Sequence, residues 1–373
     1  MNNEIIRPTK VEVNISTISQ NFFNIKNFKP KSKIMAILKA NAYGHGLVRI
    51  AIEMERLGVD YIGVAVLEEG ITLRENGITK PILVLGGIIG NQIPLFLNYN
   101  LTITASSITK LQQINDVAGS LNLPAKVHLK IDTGMERIGV HYYNAETFIQ
   151  KSFEFENIKV EGIYSHFSNA DSANLGHSYL QLERFMRIKK FADKISDEKV
   201  LFHIANSAAI LQIPESDFDM IRPGILLFGV YPSAKTKKTI DVEPALSWKS
   251  RVVYFKVIKP NHPVGYGLTW QTNKNIRAVT IPVGYGDGYF RSMSQKAKVI
   301  INDKIYPIIG NISMDQIVVN IDKDSAYNGD EVILIGRSKK LKITCEDLAL
   351  WANTIPYEIL TNINTRVPRV YLH

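Results

Sequence analysis

Between residues 34 and 228, eight short β-rich runs alternate with amphipathic stretches, a rhythm that points to repeated βα units and a parallel sheet. The runs are Ile34–Lys39, Tyr61–Val66, Pro81–Gly86, Leu101–Ser106, Lys126–Asp132, Lys159–His166, Leu201–Asn206 and Ile221–Phe228. Parallel neighbours cannot be joined by a tight hairpin, so each needs a crossover. Segments such as LVRIAIEMERLG and SYLQLERFMRIKKFADKI supply it, with apolar residues three and four apart as an outer helix requires. Eight units in about two hundred residues suit a closed (β/α)8 barrel of the TIM type. A doubly wound open sheet is the structural alternative; the strand count favours closure.

After Tyr231 the texture changes. YPSAKTKKTIDVEP is polar and turn-rich, and beyond it strand-like runs follow one another without regular helices. The expected division is therefore an α/β barrel over 11–235 and a mostly β domain over 240–373. The alternating TKVEVNIS segment suits an N-terminal strand, placed at 1–10, that joins the β domain. A late helix is expected in TCEDLALWANT, with Thr344 as its N-cap and acidic residues in its first turn. At 373 residues the chain exceeds the size at which one core usually keeps growing, which also favours two domains.

Bulk properties remove several function classes. Cys345 is the only cysteine, so neither a disulfide framework nor a multi-thiolate metal site exists. No apolar run is long enough to span a bilayer, and the N-terminus lacks the features of a secretory signal; a cytoplasmic protein without a membrane partner is expected. The net charge of +9 is scattered, its densest runs at Lys235–Lys238 and Arg337–Lys342, which reads as solvated surface and not as a nucleic-acid footprint.

Chemistry concentrates at one end of the strands. Lys39 closes the first run, where desolvation lowers an amine's pKa and leaves it nucleophilic, as Schiff-base formation requires. The plainer reading is a lysine whose head reaches solvent. Lys130, Asp132, His166, Asn206, Ser207 and Arg222 fall at the same end of other strands. Ser207 and Gly224 lie after the seventh and eighth runs, where barrels commonly build a phosphate site.

The ordered segments LKANAYGHG, LKIDTGMERIG, YSHFSNAD, HIANSAA, MIRPGILLFG, GYGLTW, IPVGYGDGY and GNISMDQ resemble the pyridoxal-phosphate-dependent alanine racemases, over about Val11 to Val370. The resemblance implies an isomerase that interconverts L- and D-alanine and supplies D-alanine for peptidoglycan, as a homodimer with shared sites. Lys39 would carry the cofactor and act as one base; Tyr266, from a second subunit, would be the other. Tyr43, Asn206, Ser207, Gly224, Ile225 and Tyr357 would bind the cofactor, its phosphate above all, and Arg222 would face its ring nitrogen. Arg137 and Met314 would help bind the substrate carboxylate, with Asp315 and Tyr285 at the entrance. Lys130 would be carboxylated and hold Arg137, while His166 would support Tyr266.

Two bases are what racemisation demands, since a proton leaves one face of a planar carbon and another returns to the opposite face. Read from the residues alone, Tyr266 and Tyr285 suit aromatic plugs at β turns and His166 a strand-end histidine better than bases, and Lys130 suits a salt-bridge partner of Asp132 or Glu136. The chain departs from the family's frequent spellings with VGYGL for VSYG, Gly286 for Ala and Ser313 for Cys. A serine or broader-specificity racemase is an alternative, because one hydroxyl or methylene is discriminated only about 10- to 200-fold by a pocket. A noncatalytic pyridoxal phosphate carrier is another, against which stands a β domain that a carrier has no use for.

Overall fold

A computed structural model describes residues 6–195 and 199–373; positions 1–5 of the expected N-terminal strand lie outside the described residues. The chain forms two compact units. One comprises Ile18–Ala42 and Gly46–Glu243; the other comprises Met1–Thr17, Tyr43–His45 and Pro244–His373. Strands are numbered along the chain, starting with β1 at Lys10–Asn14.

The first unit is a parallel barrel. Its strands are β2 (Lys33–Ile37), β3 (Tyr61–Val64), β4 (Ile82–Val84), β5 (Thr102–Ala105), β6 (Ala125–Asp132), β7 (Ile158–Tyr164), β8 (Leu201–His203) and β9 (Met220–Ile221). They pair in the order β9-β2-β3-β4-β5-β6-β7-β8, and a parallel bridge between Asn206 and Arg222 joins the two ends. Their near-continuous apolar character follows from burial on both faces, against barrel interior and outer helices. Helix Leu47–Arg56 turns Leu47, Ile50, Ala51 and Met54 inward, the spacing that the sequence displays.

The eighth run is shorter than expected. Only Met220–Ile221 is strand, and Ile225–Phe228 is a 3-10 turn. Pro223 has no amide hydrogen to offer a ladder, so pairing stops there and the chain is free to turn at Gly224.

The second unit is a mostly antiparallel sheet of β1, β10 (Leu246–Arg251), β11 (Tyr254–Ile258), β12 (Ile276–Ile281), β13 (Lys298–Ile301), β14 (Lys304–Ile309), β15 (Ile317–Asp322), β16 (Glu331–Ser338), β17 (Leu341–Ile343) and β18 (Arg369–Leu372). WKSRVVYFKVI, one continuous run in the sequence, breaks into β10 and β11 at Val252–Val253. The β13–β14 hairpin turns at Asn302 and Asp303, both with positive φ (50° and 59°), the two residue types that tolerate such a turn best. Strand β1 pairs antiparallel with β10 and parallel with β18. The strand lies inside the TKVEVNIS segment, at Lys10–Asn14 where 1–10 is the expected placement, and its alternating Val11 and Val13 fill the core of this sheet.

Thr344 caps helix Cys345–Ala352 reciprocally: its hydroxyl accepts from Asp347 N at 3.2 Å, and Asp347 Oδ2 accepts from Thr344 N at 2.8 Å. Thr344→Ala should cost about 1 kcal/mol, measured as a lower denaturant midpoint with unchanged slope; no shift would mean the cap contributes nothing.

Candidate active site

The barrel unit gathers its polar groups at the C-terminal ends of its strands, the face on which barrels carry their chemistry. Lys39 lies two residues past β2, His166 two past β7, Asn206 three past β8 and Arg222 one past β9, while Lys130 and Asp132 end β6.

Past Lys39 the backbone does something that its sequence does not announce. Ala40, Asn41, Ala42 and Tyr43 have φ of 53°, 56°, 51° and 52°, a complete left-handed turn without glycine. Such a conformation costs roughly 1–2 kcal/mol per residue. It is held in place: Ala40 N donates to Glu69 Oε1 at 2.6 Å, Ala42 N to Leu38 O at 2.7 Å, and Asn41 Oδ1 accepts from Leu47 N at 2.8 Å. Burial, then the nearby Arg137 and Arg222 cations, depress the Lys39 pKa, with Glu69 opposing. The amine is thereby brought toward its neutral, nucleophilic form.

At the centre of the barrel unit sits Arg222, 3% exposed. Its Nη1 bonds His203 Nδ1 at 2.8 Å; its Nη2 bonds Ser165 O at 2.7 Å, His166 Nδ1 at 3.0 Å and Ile204 O at 3.1 Å. The guanidinium also lies 5.5 Å from the Tyr164 ring, which stacks on His203. Burial lowers the Arg222 pKa only to about 10, so the side chain stays charged at neutral pH. Burial and this cation hold His166 and His203 well below the usual histidine range, as neutral imidazoles.

Lys130, 4% exposed, is 5.1 Å from the Tyr164 ring and donates to Ile131 O at 3.1 Å. Burial and then Arg222 bring its pKa down to about 7. No salt bridge joins it to Asp132, whose carboxylate instead accepts from Gly134 N (2.8 Å), Met135 N (2.9 Å) and Arg137 N (3.2 Å). Those bonds fold the TGMER loop that carries the exposed Arg137.

Ser207 begins a short helix capped by Asn206, whose Oδ1 accepts from Ala209 N at 3.0 Å. Gly224 N and Leu226 N both point at Ser207 Oγ, at 2.8 and 3.4 Å, with Ile225 buried between them. One turn thus aims two amides at a hydroxyl on the next, a donor set suited to a phosphate. Together with a depressed lysine and a buried cation, these residues fit pyridoxal phosphate.

The β unit holds the remaining expected residues. Tyr43, buried, has its ring 6.1 Å from that of Tyr357, and Gly44 is packed so closely that a Cβ would lie 2.2 Å from Leu360 O. Tyr266 stands 73% exposed between Gly265 and Gly267, both at positive φ (75° and 73°), and its carbonyl accepts from Asn311 Nδ2 at 2.7 Å. Tyr285 and Gly286 donate to Ser313 O and Met314 O at 3.0 and 2.9 Å, which joins the GYGDGY and SMDQ loops. Arg366 ties the buried Asp287 (2.6 Å) to Asp315 (2.8 Å), and a Cβ on Gly286 would meet its Nη2 at 2.8 Å. Glycine in place of alanine thus leaves room for this clamp.

Residues 13–232 match the family model for "Alanine racemase, N-terminal domain" and residues 245–371 that for "Alanine racemase, C-terminal domain". The chain belongs to the alanine racemase family. It is 41% identical over 369 residues to an alanine racemase of Carboxydothermus hydrogenoformans, covering 98% of this chain and 100% of that one. To an alanine racemase of Halothermothrix orenii it is 39% identical over 373 residues, covering 100% and 98%. The solved alanine racemase of Clostridium difficile 630 superposes with a TM-score of 0.94 at 38% identity, over 99% of this chain and 97% of that one. The family depends on pyridoxal phosphate, and its members are amino-acid racemases.

Sequence reading overlooked Glu69, Tyr164, His128 and His203. The one available signal was alternation: His128, Lys130 and Asp132 are two apart on β6 and so share a face. Because Lys130 titrates near 7 when folded and near 10.5 when unfolded, the unfolded chain binds more protons between those values, and stability rises with pH across that window. Urea melts of the unloaded, carbon-dioxide-free protein should show the rise, and Lys130→Met should flatten it; an unchanged slope would refute the assignment.

Proposed function

We propose that this chain interconverts L- and D-alanine by removing the α-proton on one face and returning a proton on the other. The observation that carries the reading is Lys39, a depressed amine at the barrel mouth beside the charged Arg222. Pyridoxal phosphate joined to an amino acid withdraws electrons from Cα and makes its proton acidic. Ser207, Gly224, Ile225, Asn206, Tyr43 and Tyr357 would hold its phosphate end, and Arg222 its ring nitrogen. Since guanidinium keeps its proton at neutral pH, Arg222 would donate to that nitrogen without protonating it, which would temper electron withdrawal and favour fidelity over rate.

Lys39 is the base on one face. Tyr266 is the base on the other, contributed by a second copy of the chain. His166, neutral and held at Nδ1 by Arg222, offers its Nε2 proton as a donor that favours phenolate. Arg137 and Met314 bind the substrate carboxylate, and Tyr285 and Asp315 line the approach. Lys130, with a neutral amine available, would add through its nitrogen to carbon dioxide and release one proton to solvent, giving a carboxylated, anionic side chain that holds Arg137. The product serves peptidoglycan synthesis in the cytoplasm; among the described residues no helix is long and apolar enough to cross a membrane.

A homodimer is supported by the β unit's surface. Tyr254, Phe255 and Val257 are exposed on the edge strand β11, and Tyr266 and Leu268 are exposed on their turn. An uncovered apolar edge of this kind is a liability that association removes.

Borohydride reduction of the yellow holoenzyme should fix cofactor mass on Lys39, and a chiral assay should show alanine interconverting in both directions; labelling at another lysine would sink the mechanism. Tyr266→Phe should lower kcat by about 10²- to 10⁴-fold. Mixed dimers of Lys39→Ala and Tyr266→Ala chains should regain activity, since one of their two sites is intact; verified hybrids that stay dead would refute sharing.

A further inference from the structure

Behind Arg222 two imidazoles form a chain with a fixed direction. A guanidinium only donates, so His203 Nδ1 accepts at 2.8 Å. A neutral imidazole that accepts at one nitrogen carries its proton on the other, so His203 Nε2 donates to His128 Nδ1 at 2.9 Å. His128 must then carry its own proton on Nε2. That nitrogen is buried and has no hydrogen-bond partner among the described residues. Buried orphan donors are rare and need an explanation.

The slot for this ring is purpose-shaped. Gly162 on β7 lies against it, and a Cβ there would come within 2.5 Å of His128 Nδ1 and 2.6 Å of Cε1. Tyr61 and Tyr164 flank the ring at centroid distances of 5.8 and 6.5 Å. Burial and then the Arg222 cation push the His128 pKa to about 3, so the acceptor at Nδ1 persists throughout the neutral range.

We propose that His128 is a positioning residue that fixes the tautomer of His203 and thereby holds the Arg222 guanidinium in one plane inside the barrel. With the tautomer of His203 reversed, two N–H groups would face each other across the contact with Arg222. An acceptor at His128 removes that possibility by engaging His203 Nε2–H. The catalytic consequence rests on the proposed placement of Arg222 against the cofactor ring nitrogen; the tautomer chain is a property of the folded barrel alone.

Long-range proton–nitrogen NMR of unloaded protein labelled at histidine nitrogens, near neutral pH, should show His203 and His128 both protonated on Nε2. A proton on His203 Nδ1 would overturn the proposal without recourse to any variant. His128→Leu, close in size but without an acceptor, should weaken pyridoxal phosphate binding about tenfold and lower kcat with KM for alanine little changed. His128→Asn, which keeps an acceptor near Nδ1, should restore most of both; equal impairment of Asn and Leu would mean packing alone, and wild-type behaviour of Leu would mean no role. Arg222→Gln separates the two ideas: unchanged cofactor absorbance and affinity would refute the placement of Arg222, while the NMR result would still decide the tautomers.

Discussion

A guanidinium sealed inside a barrel can only donate, and its surroundings must therefore accept. Ser165 O, Ile204 O, His166 Nδ1 and His203 Nδ1 do so around Arg222, at distances between 2.7 and 3.1 Å. The same charge, together with burial, keeps its basic neighbours from competing for protons: His166 and His203 stay neutral, and Lys130 and Lys39 are pulled below the ordinary lysine range. Burial is the larger cause in each case, and one permanently charged group adds to it at every base near it, with Arg137 contributing more than Arg222 at Lys39. That is the condition under which an amine can act as nucleophile and proton carrier at neutral pH.

Parallel strands put those groups together. Because all of them run the same way, residues at or just past their ends meet at one mouth, although Lys39 and Arg222 are far apart in sequence. The brevity of β8 and β9 serves the same end, since a short strand releases the chain early into the turns that carry Asn206, Ser207 and Gly224. The antiparallel sheet solves a different problem. Its hairpins and loops display side chains outward, which is how Tyr266 comes to stand on an exposed turn between two glycines.

The barrel strands were legible because burial on both faces writes itself as uninterrupted apolar runs, and the Thr344 cap because its chemistry is local. The end of the eighth run was misread since Ile225–Phe228 is as apolar as any strand; only Pro223 and Gly224 mark the change. Lys39 stood out, but the left-handed turn after it did not, as Ala40, Asn41 and Ala42 carry no glycine to announce positive φ. His128 and His203 were invisible as a pair: they are 75 residues apart, and a histidine within an apolar strand says nothing of which ring it will meet. The roles proposed for Tyr266, Arg137 and Met314 rest on the ordered motifs and not on any local property of these residues.

The left-handed turn has a consequence for how this protein fails. Ala40, Ala42 and Tyr43, held against their chirality around a more tolerant Asn41, store roughly 3–6 kcal/mol, comparable to the whole margin by which many domains stay folded. Neighbouring contacts alone keep that spring wound. Mild heating that loosens Glu69 or Leu47 would let the segment relax first, swinging Lys39 out of register while both sheets persist, so thermal inactivation should precede melting.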